Sequence, residues 1–99
     1  MKTVAEIRQI LQGQKPYLAE QYGVAEISIF GSYVRGEQRT DSDLDVLIEL
    51  ERPARISLID LVELELYLSD LLDIKVDLAV KKNLKARIGE RILQEAIAL

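Results

Sequence analysis

Apolar residues recur along this chain at two different spacings, and the switches between them mark out short elements. From Thr3 to Tyr22 they fall at Val4, Ile7, Ile10, Leu11, Leu18 and Tyr22, close to the helical repeat. Thr3 followed by Glu6 has the form of a capping box, and Gly23 is placed to end the helix. Gly13 and Pro16 fall inside it, so the pattern predicts a kink or two helical pieces. Val24 to Phe30 (VAEISIF) is short, apolar and β-branched, which predicts a strand. Ser32 to about Glu37 reads as a short helix stopped by Gly36, and Gln38 to Ser42 as a polar turn.

Asp43 to Leu50 (DLDVLIEL) predicts a second strand, closed by Glu51, Arg52 and Pro53. Ile56 to Leu72 predicts a long helix that is apolar on more sides than one core face needs. Burial between the sheet and neighbouring helices would account for the excess. Ile74 to Val80 (IKVDLAV) predicts a third strand, and Lys81 to Asn83 a turn. Leu84 to about Ala98 predicts a closing amphipathic helix, with Leu84, Ile88, Ile92, Leu93, Ala96 and Ile97 inward. The order α-β-α-β-α-β-α predicts an α/β (α+β) fold: a small mixed sheet of about three strands flanked by helices. At 99 residues and with no internal repeat or linker, positions 1–99 are expected to form a single domain.

Composition narrows the chemistry. The chain has no cysteine and no histidine. That excludes disulfides, zinc–thiolate sites, thiol nucleophiles and the commonest general base. Carboxylates, hydroxyls, amines or a hard metal ion must do the work. A net charge of -4 makes nucleic acid an unfavourable partner. The first residues, MKTVAEIRQI, do not form a signal-peptide core, and no apolar run approaches the ~18 residues of a membrane span. The expected location is the cytoplasm.

The segment IFGSYVRGEQRTDSDLDV, from Ile29 to Val46, holds the candidate chemistry. A strand runs into Gly31-Ser32, where a helix begins. Such a step lets a phosphate approach backbone N–H groups, although by itself it is an ordinary turn with a serine cap. Asp43 and Asp45 lie at i and i+2 on a strand, so both carboxylates share a face. Two like charges there are costly without a cation, and Mg²⁺ suits hard oxygen donors. Seven aspartates in 99 residues make about half a chance Asp-x-Asp pair, so the pair alone says little. Indeed Asp41 and Asp43 form another. Asp77 stands in an otherwise apolar strand. It either joins the other two carboxylates or faces solvent beside Lys75, while Glu49 offers a different pairing on the second strand. Arg39, Lys81, Lys82 and Arg87 read as solvated surface charge.

Taken together, Gly31-Ser32, Arg35-Gly36 and Ser42-Asp43-x-Asp45 are far less easily produced by chance. They resemble the signature of the DNA polymerase β-like nucleotidyltransferase superfamily. The short chain resembles its minimal branch, the antitoxin half of HEPN/MNT toxin–antitoxin pairs. The likeness extends to VDL around Asp77 and to the closing LKARIGERILQEAIAL. It implies a polymerase β-like fold and transfer of AMP from ATP to a tyrosine of a HEPN-type toxin. It implies that Gly31 and Ser32 hold nucleotide phosphates. Arg35 would contact phosphate or pin the loop through a salt bridge, and Ser42 would shape the turn beside the nucleotide. Asp43, Asp45 and Asp77 would coordinate two Mg²⁺, with Asp77 near the attacking hydroxyl. Two other readings stay open: a binding module that neutralises its toxin by occlusion, and a transferase acting on a small-molecule hydroxyl. For transfer to a protein hydroxyl, the partner is expected to dock on an exposed apolar patch of the long or the final helix. For transfer to a small molecule, a homo-oligomer would help to enclose the acceptor.

Overall fold

The structure is a computed structural model that describes residues 2–83 and 86–99. Helix α1 spans Val4–Tyr22. The Thr3 hydroxyl accepts the Glu6 N–H at 3.1 Å, and the Glu6 carboxylate accepts the Thr3 N–H at 3.4 Å, so the capping box is closed in both directions. The helix is a single element, not two pieces around Gly13 and Pro16. Proline removes the N–H that would bond the Gln12 carbonyl and crowds that carbonyl with its ring. Gln12 and Pro16 are both exposed, so water can satisfy that carbonyl. Ile7, Leu11 and Leu18 are fully buried and hold both halves against the sheet.

Strand β1 (Val24–Phe30) leads into the one-turn helix α2 (Ser32–Arg35), then strand β2 (Leu44–Leu50). Helix α3 covers Leu58–Leu72, two residues shorter than the periodicity predicts. Its start is set by a second capping box, in which Ser57 and Asp60 exchange side chain-to-backbone bonds of 3.3 and 2.8 Å. Strand β3 (Val76–Val80) follows, then a 3₁₀ turn (Lys81–Asn83), helix α4 (Ala86–Glu95) and a short strand β4 (Ile97–Ala98).

The sheet has four strands in the order β3-β2-β1-β4, with β2 and β3 parallel and the other pairs antiparallel. The expected three strands thus become four, because the last helical turn predicted by the apolar pattern is a strand. Bonding there favours it: β1 would otherwise present an unpaired edge, and the Leu99 N–H reaches the Ile27 carbonyl at 3.0 Å. Leu93, expected inside, is 47% exposed. Leu84 and the side chains of Arg87 and Ile88 lie outside the described residues.

The register sorts the sheet into two faces. Ile27 and Ile29 of β1 stand opposite Ile48 and Val46 of β2, and Val76 of β3 opposite Leu44. These residues are buried and form the core with Leu64, Leu68 and Leu72 of α3 and the buried residues of α1. An irregularity between Val24 and Glu26 lets Val24 and Ile27, three residues apart, both be buried. The opposite face carries Ser28, Phe30, Asp45, Leu47, Asp77 and Ala79, in register with one another. Neither α1 nor α3 covers it. Leu93 and Ala96 line a small cleft there with Ser28 and Leu47.

The outer edge of β3 is closed by side chains of α3. Ser69 Oγ accepts the Val76 N–H, and Glu65 Oε2 accepts the Leu78 N–H, both at 3.0 Å. The apolar excess of α3 is not covered by other described parts of the chain. Leu58, Ile59, Val62 and Leu66 are exposed, with Leu58 at 77% and Leu66 at 60%.

Candidate active site

The site forms where β1 ends and β2 begins, on the face away from α1 and α3. After Phe30 the backbone turns at Gly31, whose φ of 82° and ψ of -155° lie outside the range of ordinary L-residues. Glycine is required there for a second reason. A Cβ at this position would lie 2.0 Å from Asp45 Oδ2, so the Asp45 carboxylate occupies the space that a side chain would need. The Gly31 carbonyl then accepts the N–H groups of Val34 and Arg35 at 3.0 and 3.2 Å and sets up α2.

Asp45 pairs across β1 with Phe30 and across β3 with Asp77. Partners on adjacent strands share a face and stand about 4.8 Å apart at the backbone. Asp43 lies two residues before Asp45, one residue short of the strand, and is half-exposed; Asp77 is exposed. Burial pushes the Asp45 carboxyl above its ordinary range, and the negative charges of Asp77 and Asp43 push it further. Arg35 opposes the shift, and Glu95 adds to it. Asp45 therefore feels the charge of both of the other aspartates. Asp43 is also within 3.9 Å of Lys75 Nζ.

The donors are of the type that Mg²⁺ takes, and a cation would relieve the repulsion on Asp45, so the residues fit such an ion. As the side chains stand, no three carboxylates among the described residues are gathered tightly enough to hold one ion. A cleft of about 680 Å³ opens beside Asp43, lined by Ser42, Tyr33 and Lys75 among others but by neither Asp45 nor Asp77. The paired carboxylates stand on the sheet face away from α1 and α3, with Asp77 exposed and Asp45 half-exposed.

Ser32 is half-exposed beside Gly31. Ser42 shapes the approach to β2: its hydroxyl accepts the Arg39 N–H at 2.8 Å, and its own N–H bonds the Arg39 carbonyl at 3.1 Å. Arg35 forms salt bridges, with Glu95 at 2.7 Å and Glu37 at 3.4 Å. Glu49 is engaged elsewhere, 3.7 Å from Lys81. Glu95 was not singled out by the sequence. Its Oε1 accepts the Gly31 N–H at 2.7 Å as well as the Arg35 guanidinium. No spacing pattern links positions 60 and more residues apart, so nothing in the chain's periodicity points to this contact.

A glycine-serine elbow beside paired aspartates, on one face of a mixed sheet, is the arrangement of a nucleotidyl-transferring enzyme. The chain belongs to the nucleotidyltransferase domain family, which matches residues 11–99. It is similar to Protein adenylyltransferase MntA of Thermococcus cleftensis, 46% identical over 97 residues, spanning 98% of this chain and 96% of that protein. It is similar also to MJ0126 of Methanocaldococcus jannaschii, assigned as a protein adenylyltransferase. That protein is 50% identical over 95 residues, which span 96% of this chain and 95% of the relative. A solved structure assigned as a minimal nucleotidyltransferase superposes with a TM-score of 0.74 at 37% identity, covering 96% of this chain and 90% of that one. A toxin–antitoxin crystal structure with AMP-PNP shares the fold, with a TM-score of 0.69 at 23% identity over 95% of this chain and 69% of that one.

Proposed function

We infer that this protein transfers AMP from ATP to a tyrosine hydroxyl of a HEPN-type toxin, and so acts as its antitoxin. The observation that carries the reading is the pairing of Asp45 with Asp77, with Asp43 two residues along, beside the Gly31-Ser32 elbow. The relatives named protein adenylyltransferase support the reaction class. One solved relative of this fold is described as a tri-AMPylated HEPN toxin in complex with an MNT antitoxin, which supports the partner.

Asp43, Asp45 and Asp77 would hold Mg²⁺. Bound there, the ion would offset the negative charge of aspartates and triphosphate and sharpen the electrophile. The elbow's Ser32 hydroxyl and backbone would orient the phosphates, so positioning carries much of the rate. Asp77, exposed at the rim, is suited to accept the proton of the incoming hydroxyl. The acceptor oxygen bonds to the α-phosphorus, the bond from that phosphorus to the bridging oxygen breaks, and pyrophosphate leaves. No histidine is needed.

A second reading, neutralisation by binding alone, is favoured by the exposed stripe of Leu58, Ile59, Val62 and Leu66, which needs no catalysis to bury a partner. One experiment separates the two. The chain and a HEPN-type partner are incubated with α-labelled ATP and Mg²⁺. Label on the partner, lost with Asp45→Asn, is the expected result. A stable complex that never acquires label would leave binding as the function. No helix among the described residues is long and apolar enough to cross a membrane, which is compatible with a cytoplasmic partner.

A further inference from the structure

Glu95 ends α4, far along the chain from the elbow, yet it is bonded to it twice. One carboxylate oxygen, Oε1, accepts the Gly31 N–H at 2.7 Å and the Arg35 Nη1 at 2.7 Å. Both lengths are those of charge-assisted bonds. The Glu95 side chain is 25% exposed and that of Arg35 46%. A backbone amide and a guanidinium converging on one anionic oxygen are the donors that a phosphate oxygen also takes. Glu95 further adds negative charge beside Asp45. Its position is therefore unfavourable for a second anion while its carboxylate remains in place.

We propose that the Glu95 carboxylate is a resident stand-in for a nucleotide phosphate on the Gly31 N–H and Arg35, and that the phosphate displaces it on binding. The inference rests on the nucleotide-binding reading above. Its consequence is an exchange. In the free chain the carboxylate satisfies both donors and keeps the elbow formed. When the triphosphate arrives, Arg35 and the Gly31 N–H turn to it, and the end of α4 loses this tether. What remains there is local bonding, such as the Ala96 N–H to the Ile92 carbonyl at 2.8 Å, and the short pairing of β4 with β1. Nucleotide affinity is then set partly by how firmly residue 95 holds the donors.

The test is binding of the non-hydrolysable analogue AMP-PNP with Mg²⁺ to the full chain, by calorimetry, for the wild type, Glu95→Gln and Glu95→Asp. Loss of the charge in Glu95→Gln weakens the occupant without removing its shape. We expect its AMP-PNP dissociation constant to fall several-fold, with Glu95→Asp returning toward wild type. Hydrogen exchange on the wild type supplies a second readout that needs no variant. Amide exchange at Ala96 should accelerate when AMP-PNP binds. Unchanged or weaker affinity in Glu95→Gln overturns the proposal, as does unaltered exchange at Ala96 in the nucleotide-bound wild type. If neither the wild type nor Glu95→Gln binds AMP-PNP, the nucleotide-binding reading itself fails, and the proposal falls with it. A purely structural role would lower the melting temperature of Glu95→Gln and leave AMP-PNP affinity no better.

Discussion

Asp45 and Asp77 are register partners across the parallel pair β2 and β3, and both face away from the helices that fill the core. Neither could be moved to the other face without shifting its whole strand by one residue, which would turn Val46, Ile48 and Val76 out of the core. The carboxylate pairing is thus fixed by the same alternation that packs the domain.

The pairing should be needed for catalysis and dispensable for folding. Asp45→Asn and Asp77→Asn are each expected to lower the rate of AMP transfer at saturating ATP by at least about 10²-fold. Circular dichroism should show unchanged helix and strand content. Initial rates with α-labelled ATP and the HEPN-type partner check this.

Two glycine replacements should act in opposite directions. Gly31→Ala places a methyl group onto the Asp45 carboxylate and forces a positive φ on a residue with a Cβ. A loss of about 1–3 kcal/mol of stability is expected, together with loss of transfer. Gly13→Ala adds a methyl group with nothing within 4 Å, in the middle of α1. A gain of about 0.5–1 kcal/mol is expected there. Urea unfolding of both variants reads the contrast.

Stability should depend on pH through Asp45. Its carboxyl is raised above the ordinary value of 3.8 by burial and by Asp77 and Asp43, so the native state holds this proton more tightly than the unfolded chain does. The group's favourable contribution is complete below the ordinary value and is lost as the pH rises through the raised one. In metal-free buffer, Asp45→Asn should therefore gain stability relative to the wild type as the pH climbs from about 4 to neutrality. Urea midpoints of the pair across that range measure it, and a constant difference would contradict the account.

Leu68 is fully buried at the centre of α3, facing the sheet. Leu68→Ala is expected to cost about 2–5 kcal/mol. The same measurement on Leu66→Ala, at an exposed position one turn-fraction away, should give a change within about 0.5 kcal/mol.

Much of the fold was legible because local signals agreed with the global arrangement. The spacing of Ile7, Leu11 and Leu18 is that of one helical face, and the capping pair Thr3 and Glu6 marks its start. The bounds of β1 follow directly from VAEISIF. Strand β4 was not legible, since two residues are too few for any periodicity and its sole local signal continues that of α4. The apolar excess of α3 was legible, as either an exposed docking patch or burial, but choosing between them needed the structure: apolarity says that a residue favours burial, not that a neighbour is there to bury it. At the site, the Asp-x-Asp spacing and the glycine-serine step lie within one segment and could be read together. The side-by-side placement of Asp77 needed the order of the strands. Glu95 needed the tertiary structure outright, because its partners, the Gly31 amide and the Arg35 guanidinium, lie some 60 residues away in the chain.

The side chains of Ser69 and Glu65 have a consequence for how this protein can associate. An extra strand laid along β3 would have to take the amides of Val76 and Leu78, and both are already spoken for by α3. Sheet-to-sheet polymerisation and fibril growth are thereby blocked on that flank. Any protein that recognises this side of the molecule must do so by fitting its surface contour, not by lengthening its sheet.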